Sequence, residues 1–167
     1  MAIAVELVRT LRDLTGAGIL ECKNALEASQ GDVEKATEDL RRKGFAQALK
    51  RADRTTDQGV IEAYIHTGGR LGALVELGCE TDFVARTSEF KELAHAIAMQ
   101  VVAMAPDYLD EAEMEEGDVR PVAQVSLLQQ PFIRDNSSSV GEVVQELAAK
   151  VGENVRVLRF TRLALGE

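Results

Sequence analysis

The chain has no tryptophan, two tyrosines, five phenylalanines, two cysteines and three prolines among its 167 residues. Each scarcity closes something off. Cys22 and Cys79 lie inside apolar-periodic segments rather than in paired loop positions, which argues against a disulfide-stapled secreted fold. No apolar run approaches the roughly 18 residues of a membrane helix. The start "MAIAVELVRTLRD" interleaves charges with apolar residues and has no small-residue cleavage site after an apolar block. Positive charge is also short: 19 Lys and Arg against 28 Asp and Glu leave a formal charge of -9. Such a field repels a phosphate backbone. The expectation is a soluble, reduced, cytoplasmic chain that binds neither nucleic acid nor membrane directly.

What is present suffices for one core and a small accessory domain, since 46% of the residues are hydrophobic. Leu7, Leu11 and Leu14 recur at helical spacing and stop at "TGAG", whose glycines permit a tight reversal. A second short helix is expected from about Ile19 to Ala28, with Ile19, Cys22 and Leu26 inward. "QGD" then supplies Gly31 to end it and Asp32 to cap a third helix, whose Val33, Ala36 and Leu40 face inward and which Gly44 closes. Helices of about ten residues are marginal alone. Residues 1–44 are therefore read as a three-helix bundle, and residues 45–57 as a connector that keeps helix-forming residues to about Ala52 and then turns polar.

Residues 58–167 read as an α+β domain. "VIEAYIHTGGRLGALVELGC" holds two alternating runs around Gly68 and Gly69, a hairpin in which His66 stands opposite Leu71. Phe90, Leu93, Ala94, Ile97, Ala98, Val101 and Met104 then repeat at helical spacing as the inward face of a long core-facing helix, with Glu89 favourable in the first turn. Seven acids in residues 107–118 make a solvated loop with little core of its own. Ser139 and Glu142 form a capping box ahead of Val140, Val143, Val144, Leu147 and Val151, and Gly152 ends that helix. "NVRVLRFTRLAL" mixes basic and apolar residues as a third strand with one wet face would. The fold class is α+β: a three-helix bundle, then a small antiparallel sheet of about three strands packed with helices.

Chemistry is sparse. There is no phosphate-loop pattern and no cysteine pair at zinc spacing, and His66 and His95 stand alone as surface or rim residues. Ser137–Ser139 beside Asp135 have no histidine near in sequence, and the capping box accounts for Ser139. The acidic loop lacks the glycine and ligand spacing of a calcium loop. The chain reads as no enzyme, with no cofactor and no metal.

One stretch asks for more. "ETDFVAR", residues 80–86, follows a strand-like run directly. In one reading Thr81 or Asp82 caps a helix and Phe83 folds back into the core. In the other Phe83 stands at the surface as an anchor for a partner, a weighty use of a scarce aromatic. The local pattern leaves both open.

In order and spacing, "LRDLTGAGILECKNALEASQGDVEKATEDLRRKG", "GVIEAYIH", "LVELGCETDFVAR" and "FKELAHAIAMQV" resemble the elongation factor Ts family. The resemblance covers residues 5–106 and resumes at "LLQQPFIRD" and "VGENVRVLRFTRLALGE". It implies a guanine nucleotide exchange factor for the translation GTPase EF-Tu, in GDP-bound and nucleotide-free forms. It also implies a ubiquitin-associated-like helical domain at the N-terminus and an α+β core. Thr81, Asp82, Phe83 and Val84 match the family segment that pushes into the GTPase and dislodges its Mg²⁺, so Phe83 is expected to be an exposed wedge. Arg12, Thr15, Gly16, Gly18 and Lys23 match the family's patch against the nucleotide-binding domain. Longer members carry extra helices where this chain has its short acidic interval. The rival reading is a non-catalytic adaptor that uses the bundle to hold a partner.

Assembly is the last expectation. One hairpin face carries Val60, Tyr64, Leu71, Ala73, Val75, Leu77 and Cys79; the other carries Ile61, Ala63, Ile65 and Leu74 with Gly72 and Gly78. Neither shows the polar alternation of a wet antiparallel sheet. Short members of the resembled family associate through their sheets, which implies a homodimer. The final strand carries no cysteine, so a disulfide is not expected to hold it.

Overall fold

In the computed structural model, residues 3–167 are described; residues 1 and 2 of the expected bundle lie outside the described residues. The first three amphipathic stretches become α1 (Val5–Thr15), α2 (Ile19–Ala28) and α3 (Val33–Leu49). Gly16 ends α1 in the left-handed region, its N–H donating to the Arg12 carbonyl at 2.7 Å. The Glu21 carboxylate accepts the Gly18 N–H ahead of α2, and Asp32 caps α3 by accepting the Lys35 N–H at 3.0 Å. Leu11, Cys22, Ala25, Leu26, Ala36 and Leu40 form the buried centre, with Leu7, Val8 and Val33 packed against it. Burial of each leucine there contributes roughly 1.5–3 kcal/mol.

Two expectations fail in this bundle. Gly44 does not close α3, which runs through it to Leu49. A Cβ at Gly44 would stand 2.9 Å from the Ala149 Cβ, so the glycine serves a close approach rather than a stop. Ile19 is not inward either: it is 62% exposed, and Leu14 is 64% exposed. The core closes around Leu11, Cys22 and Leu26, and helices this short leave their ends uncovered.

By contact density the chain forms two units, residues to Asp53 with Glu146–Glu153, and Arg54–Gln145 with Asn154–Glu167. The second is built on β1 (Gln58–Ile65), β2 (Leu71–Cys79) and β5 (Val155–Ala164), antiparallel in the order β1-β2-β5. The register sets Tyr64 against Ala73 and Ile65 against Gly72. The His66 N–H donates to the Leu71 carbonyl, as the expected pairing requires. Gly68 and Gly69 take φ of 93° and 69°, and the Gly69 N–H reaches the His66 carbonyl, so four residues make the reversal. Between β2 and β5 come α4 (Asp82–Ala85), α5 (Ser88–Met104), α6 (Val122–Val125), β3 (Pro131–Phe132), β4 (Asp135–Ser139) and α7 (Val140–Val151).

Helix α5 packs on β1 and β2 and buries Phe90, Leu93, Ile97 and Val101 together with Ala73, Val75 and Leu77 of the sheet. Met104 departs from the expected inward set: it is the last residue of α5, just before Ala105 turns to φ 44°, and it is exposed. Strand β5 also departs from simple alternation. Glu76 pairs with Arg159 but Leu77 with Val157, so Leu158 is an extra residue that reverses the facing beyond it. Val155 and Val157 are buried, Arg159 meets Glu76 on the open face, and Arg162 turns inward, where its Nε donates to the Val102 carbonyl at 3.3 Å. An unbroken period of two would have pointed Arg159 at the core.

The acidic interval is held at its ends. Asp107 and Tyr108 donate to the Val125 carbonyl, and Leu127 donates back to Tyr108. Arg120 pairs with Asp107 and Asp118 at 2.6 Å each. The Arg120 guanidinium, with help from the Arg120 and Tyr108 donors, holds the Asp118 carboxyl well below the usual carboxylate range. The β3–β4 hairpin was not anticipated from the sequence. It is locked by a buried amide pair: Gln100 Nε2 donates to Gln130 Oε1 at 3.0 Å and to the Pro131 carbonyl, while Gln100 Oε1 accepts the Ile133 N–H at 2.7 Å. The Ser139–Glu142 box forms as expected, with reciprocal bonds of 2.8 and 3.2 Å ahead of α7. His66 bonds the Tyr64 hydroxyl, and His95 meets Glu62 at 2.8 Å, both at the rim of the α5–β1 layer. Among the described residues there is no group of three or more His, Cys, Asp or Glu able to hold a metal ion, and no helix long and apolar enough to cross a membrane.

Candidate partner-binding surfaces

The first surface is the turn that leaves β2. After Cys79 the chain bends into α4, a single helical turn with Thr81 as its N-cap. The Thr81 Oγ1 accepts the Val84 N–H at 3.5 Å, and Asp82 and Arg86 pair at 2.7 Å one turn apart. At the far end, Thr87 donates to the Val84 carbonyl at 2.8 Å and caps α5 by accepting the Phe90 N–H. Val84 and Ala85 are buried and seat the turn. Phe83, between them and the cap, is 80% exposed. A ring of this size left in water costs the burial energy it forgoes, roughly 1.5–3 kcal/mol. The core reading of "ETDFVAR" is thereby overturned. The reason is geometric: a four-residue helix can aim only one flank at the core, and Val84 and Ala85 occupy it.

The second surface is the α1–α2 corner. Arg12 is exposed in the last turn of α1. Thr15 bonds back to the Leu11 carbonyl at 2.7 Å and accepts the Ala17 N–H, which stiffens the reversal. Gly16, at φ 67°, is crowded by Lys150 Cγ, 2.7 Å from where a Cβ would stand, so a side chain there would meet both strain and contact. Gly18 starts α2, and Lys23 is exposed on that helix, 3.8 Å from Glu27. The structure therefore brings Arg12, Thr15, Gly16, Gly18 and Lys23 to one corner of the bundle, while residues 81–84 belong to the sheet unit. Sequence reading missed the apolar part of this corner. Leu14, Ile19 and Leu20 are all exposed around the reversal. Their signal was available in retrospect, because three large aliphatics flank a glycine turn in a bundle too small to bury them.

A sequence profile described as "Elongation factor TS" matches residues 15–121. A protein named "Elongation factor Ts" from Thermotoga neapolitana is 44% identical over 195 aligned positions, covering 100% of this chain and 99% of that protein. A protein of the same name from Thermotoga maritima is 45% identical, with 100% and 98% covered. Another, from Synechococcus sp. (strain RCC307), is 45% identical, with 99% and 90% covered. The alignments are longer than the 167 residues of this chain, so the Thermotoga relatives carry residues that it lacks.

Proposed function

The chain belongs to the elongation factor Ts family, and on that premise we propose that it is a guanine nucleotide exchange factor for the translation GTPase EF-Tu, acting in the cytoplasm without bond chemistry of its own. The observation that carries the reading is Phe83, a scarce aromatic held in water at the tip of a clamped turn. In this mechanism residues 81–84 enter the GTPase as a wedge: Phe83 inserts, Thr81 and Asp82 compete for polar groups, and buried Val84 keeps the turn seated. Displacing the partner's Mg²⁺ removes much of the electrostatic clamp on the diphosphate oxygens. The bundle corner, with Arg12, Thr15, Gly16, Gly18 and Lys23, docks on the nucleotide-binding domain beside its exposed aliphatics.

The thermodynamics follow from reciprocity. A factor that binds empty GTPase better than loaded GTPase weakens the nucleotide by the same factor by which the nucleotide weakens it. GDP and GTP are both loosened, and concentration decides which rebinds. The decisive experiment is release of fluorescently labelled GDP from EF-Tu with and without this chain. Accelerated release is the expected outcome; binding with an unchanged release rate would leave an adaptor instead.

The proposal extends to assembly. Helix α5 covers the inner sheet face, while the outer face leaves Ile61 (68% exposed), Ile65, Leu74 and Leu163 (71% exposed) in water. A second copy presenting the same face across a two-fold axis covers them without any disulfide.

A further inference from the structure

The turn that shows Phe83 is anchored from behind by a residue outside it. The β2–β5 ladder ends with Gly78 opposite Arg156 and Cys79 opposite Val155. The next pair in that register would be Glu80 and Asn154. There the Glu80 side chain reaches across: its Oε1 accepts the Asn154 backbone N–H at 2.6 Å. The same carboxylate takes Arg54 Nη1 at 3.3 and 3.4 Å through its two oxygens. Asn154, itself buried, returns Nδ2 to the Arg54 carbonyl at 2.8 Å. Three segments far apart in sequence are thus tied at one point: the end of β2, the start of β5 and the chain leading into β1.

We infer that Glu80 is a positioning residue for nucleotide exchange: its carboxylate fixes the point at which β2 turns into α4 and so sets the direction in which Phe83 is presented. The inference rests on the wedge reading of residues 81–84. Its physical basis is leverage. Thr81, Asp82 and Thr87 fix the internal shape of the turn. None of those bonds ties the turn's leading end to the neighbouring strand, and the Glu80–Asn154 bond does. A carboxylate accepting a backbone N–H is a charge-assisted bond, shorter and stronger than a neutral one. Wedge action needs this stiffness, because a displacement of ~1 Å at the acting group can cost about 10²-fold in rate.

The test is a double-mutant cycle on GDP release from EF-Tu, with full-length chain. Glu80→Ala is expected to lower the maximal stimulated rate by about tenfold or more, with the half-saturating concentration changed less than about twofold. In a Phe83→Ala background it should cost much less, because Phe83 acts through the element that Glu80 holds and only the polar contacts of Thr81 and Asp82 are left to misplace. Glu80→Gln, which keeps an acceptor for the Asn154 N–H, should restore most of the rate. Equal losses in both backgrounds, or a loss that merely tracks the folded fraction, would overturn the inference. A second readout needs no exchange activity. The chain has no tryptophan, so Phe83→Trp provides a local probe whose fluorescence anisotropy should fall when Glu80→Ala is added and stay high with Glu80→Gln. Unchanged anisotropy with Glu80→Ala also overturns the inference. If the anisotropy falls but the unmodified chain never accelerates GDP release, Glu80 positions the turn and it is the exchange reading that is lost.

Discussion

Phe83 is the residue on which function and stability separate most cleanly. Exposed as it is, its truncation removes little packing, so Phe83→Ala should leave the melting temperature almost unchanged, within the roughly 0.5 kcal/mol typical of surface positions. A core phenylalanine would cost roughly 3–5 kcal/mol. Stimulated GDP release should fall by about 30-fold or more, the loss of a hot-spot anchor worth at least ~2 kcal/mol. Thermal melts and exchange assays on the same preparation check both halves; a large drop in melting temperature with normal exchange by the folded fraction would reject the wedge. That the turn exists was legible from "ETDFVAR", because a threonine followed by an acid is a capping signal. Which way the ring points was not legible in the local pattern, since Phe83 and Val84 are neighbours and packing assigns one of them to the core; the family resemblance implied the outward side, and Phe83 stands there.

At the scale of elements, glycines mark where backbones approach too closely for any side chain. Gly59 stands opposite Gly78 with φ 154°, and a Cβ there would lie 2.1 Å from the Leu77 carbonyl oxygen. Gly59→Ala should therefore destabilise the sheet unit by roughly 1–3 kcal/mol from backbone strain alone. Chemical denaturation would show this as a lower midpoint at unchanged slope. A wild-type midpoint would mean that β1 can shift away at little cost. Gly44 shows close packing inside a helix: its residue type predicts a stop, yet α3 runs through it, and a Cβ there would crowd the Ala149 Cβ. A bulge acts at the same scale: the extra residue Leu158 decides that Arg159 faces Glu76 while Arg162 serves the end of α5.

For the whole molecule, charge is unevenly shared. Residues 1–53 carry nine acidic and nine basic side chains, so the net charge of -9 resides in the remainder. Arg12 and Lys23 thus sit on the neutral part of an acidic protein, where positive groups at a rim chiefly govern encounter. Replacing both with glutamine should slow association with EF-Tu at low salt and flatten its salt dependence, as read by stopped-flow kinetics; unchanged association would move the contact off this corner. The sheet face makes a separate prediction. Light scattering under reducing conditions should give about twice the 18.2 kDa chain mass. Leu74→Asp should split the dimer while leaving the fold intact, since Leu74 is exposed and its neighbour Val75 is fully buried. A monomer at micromolar concentrations would reject the shared face.

Legible in the sequence alone were the three helices of the bundle, the hairpin and its register, the long helix α5, the caps at Asp32 and Ser139, the last helix and strand, and the resemblance to the family. Each of these depends on residues close in the chain or on a pattern spread along it. Tertiary packing alone set Leu14, Ile19 and Met104 outward, turned Arg162 inward and made the amide lock between Gln100 and Gln130. It also brought Glu80 to Asn154, 74 residues away, and gathered residues 146–153 with the N-terminal helices. Periodicity states which residues share a face of one element; which faces find cover depends on what the rest of the chain brings against them.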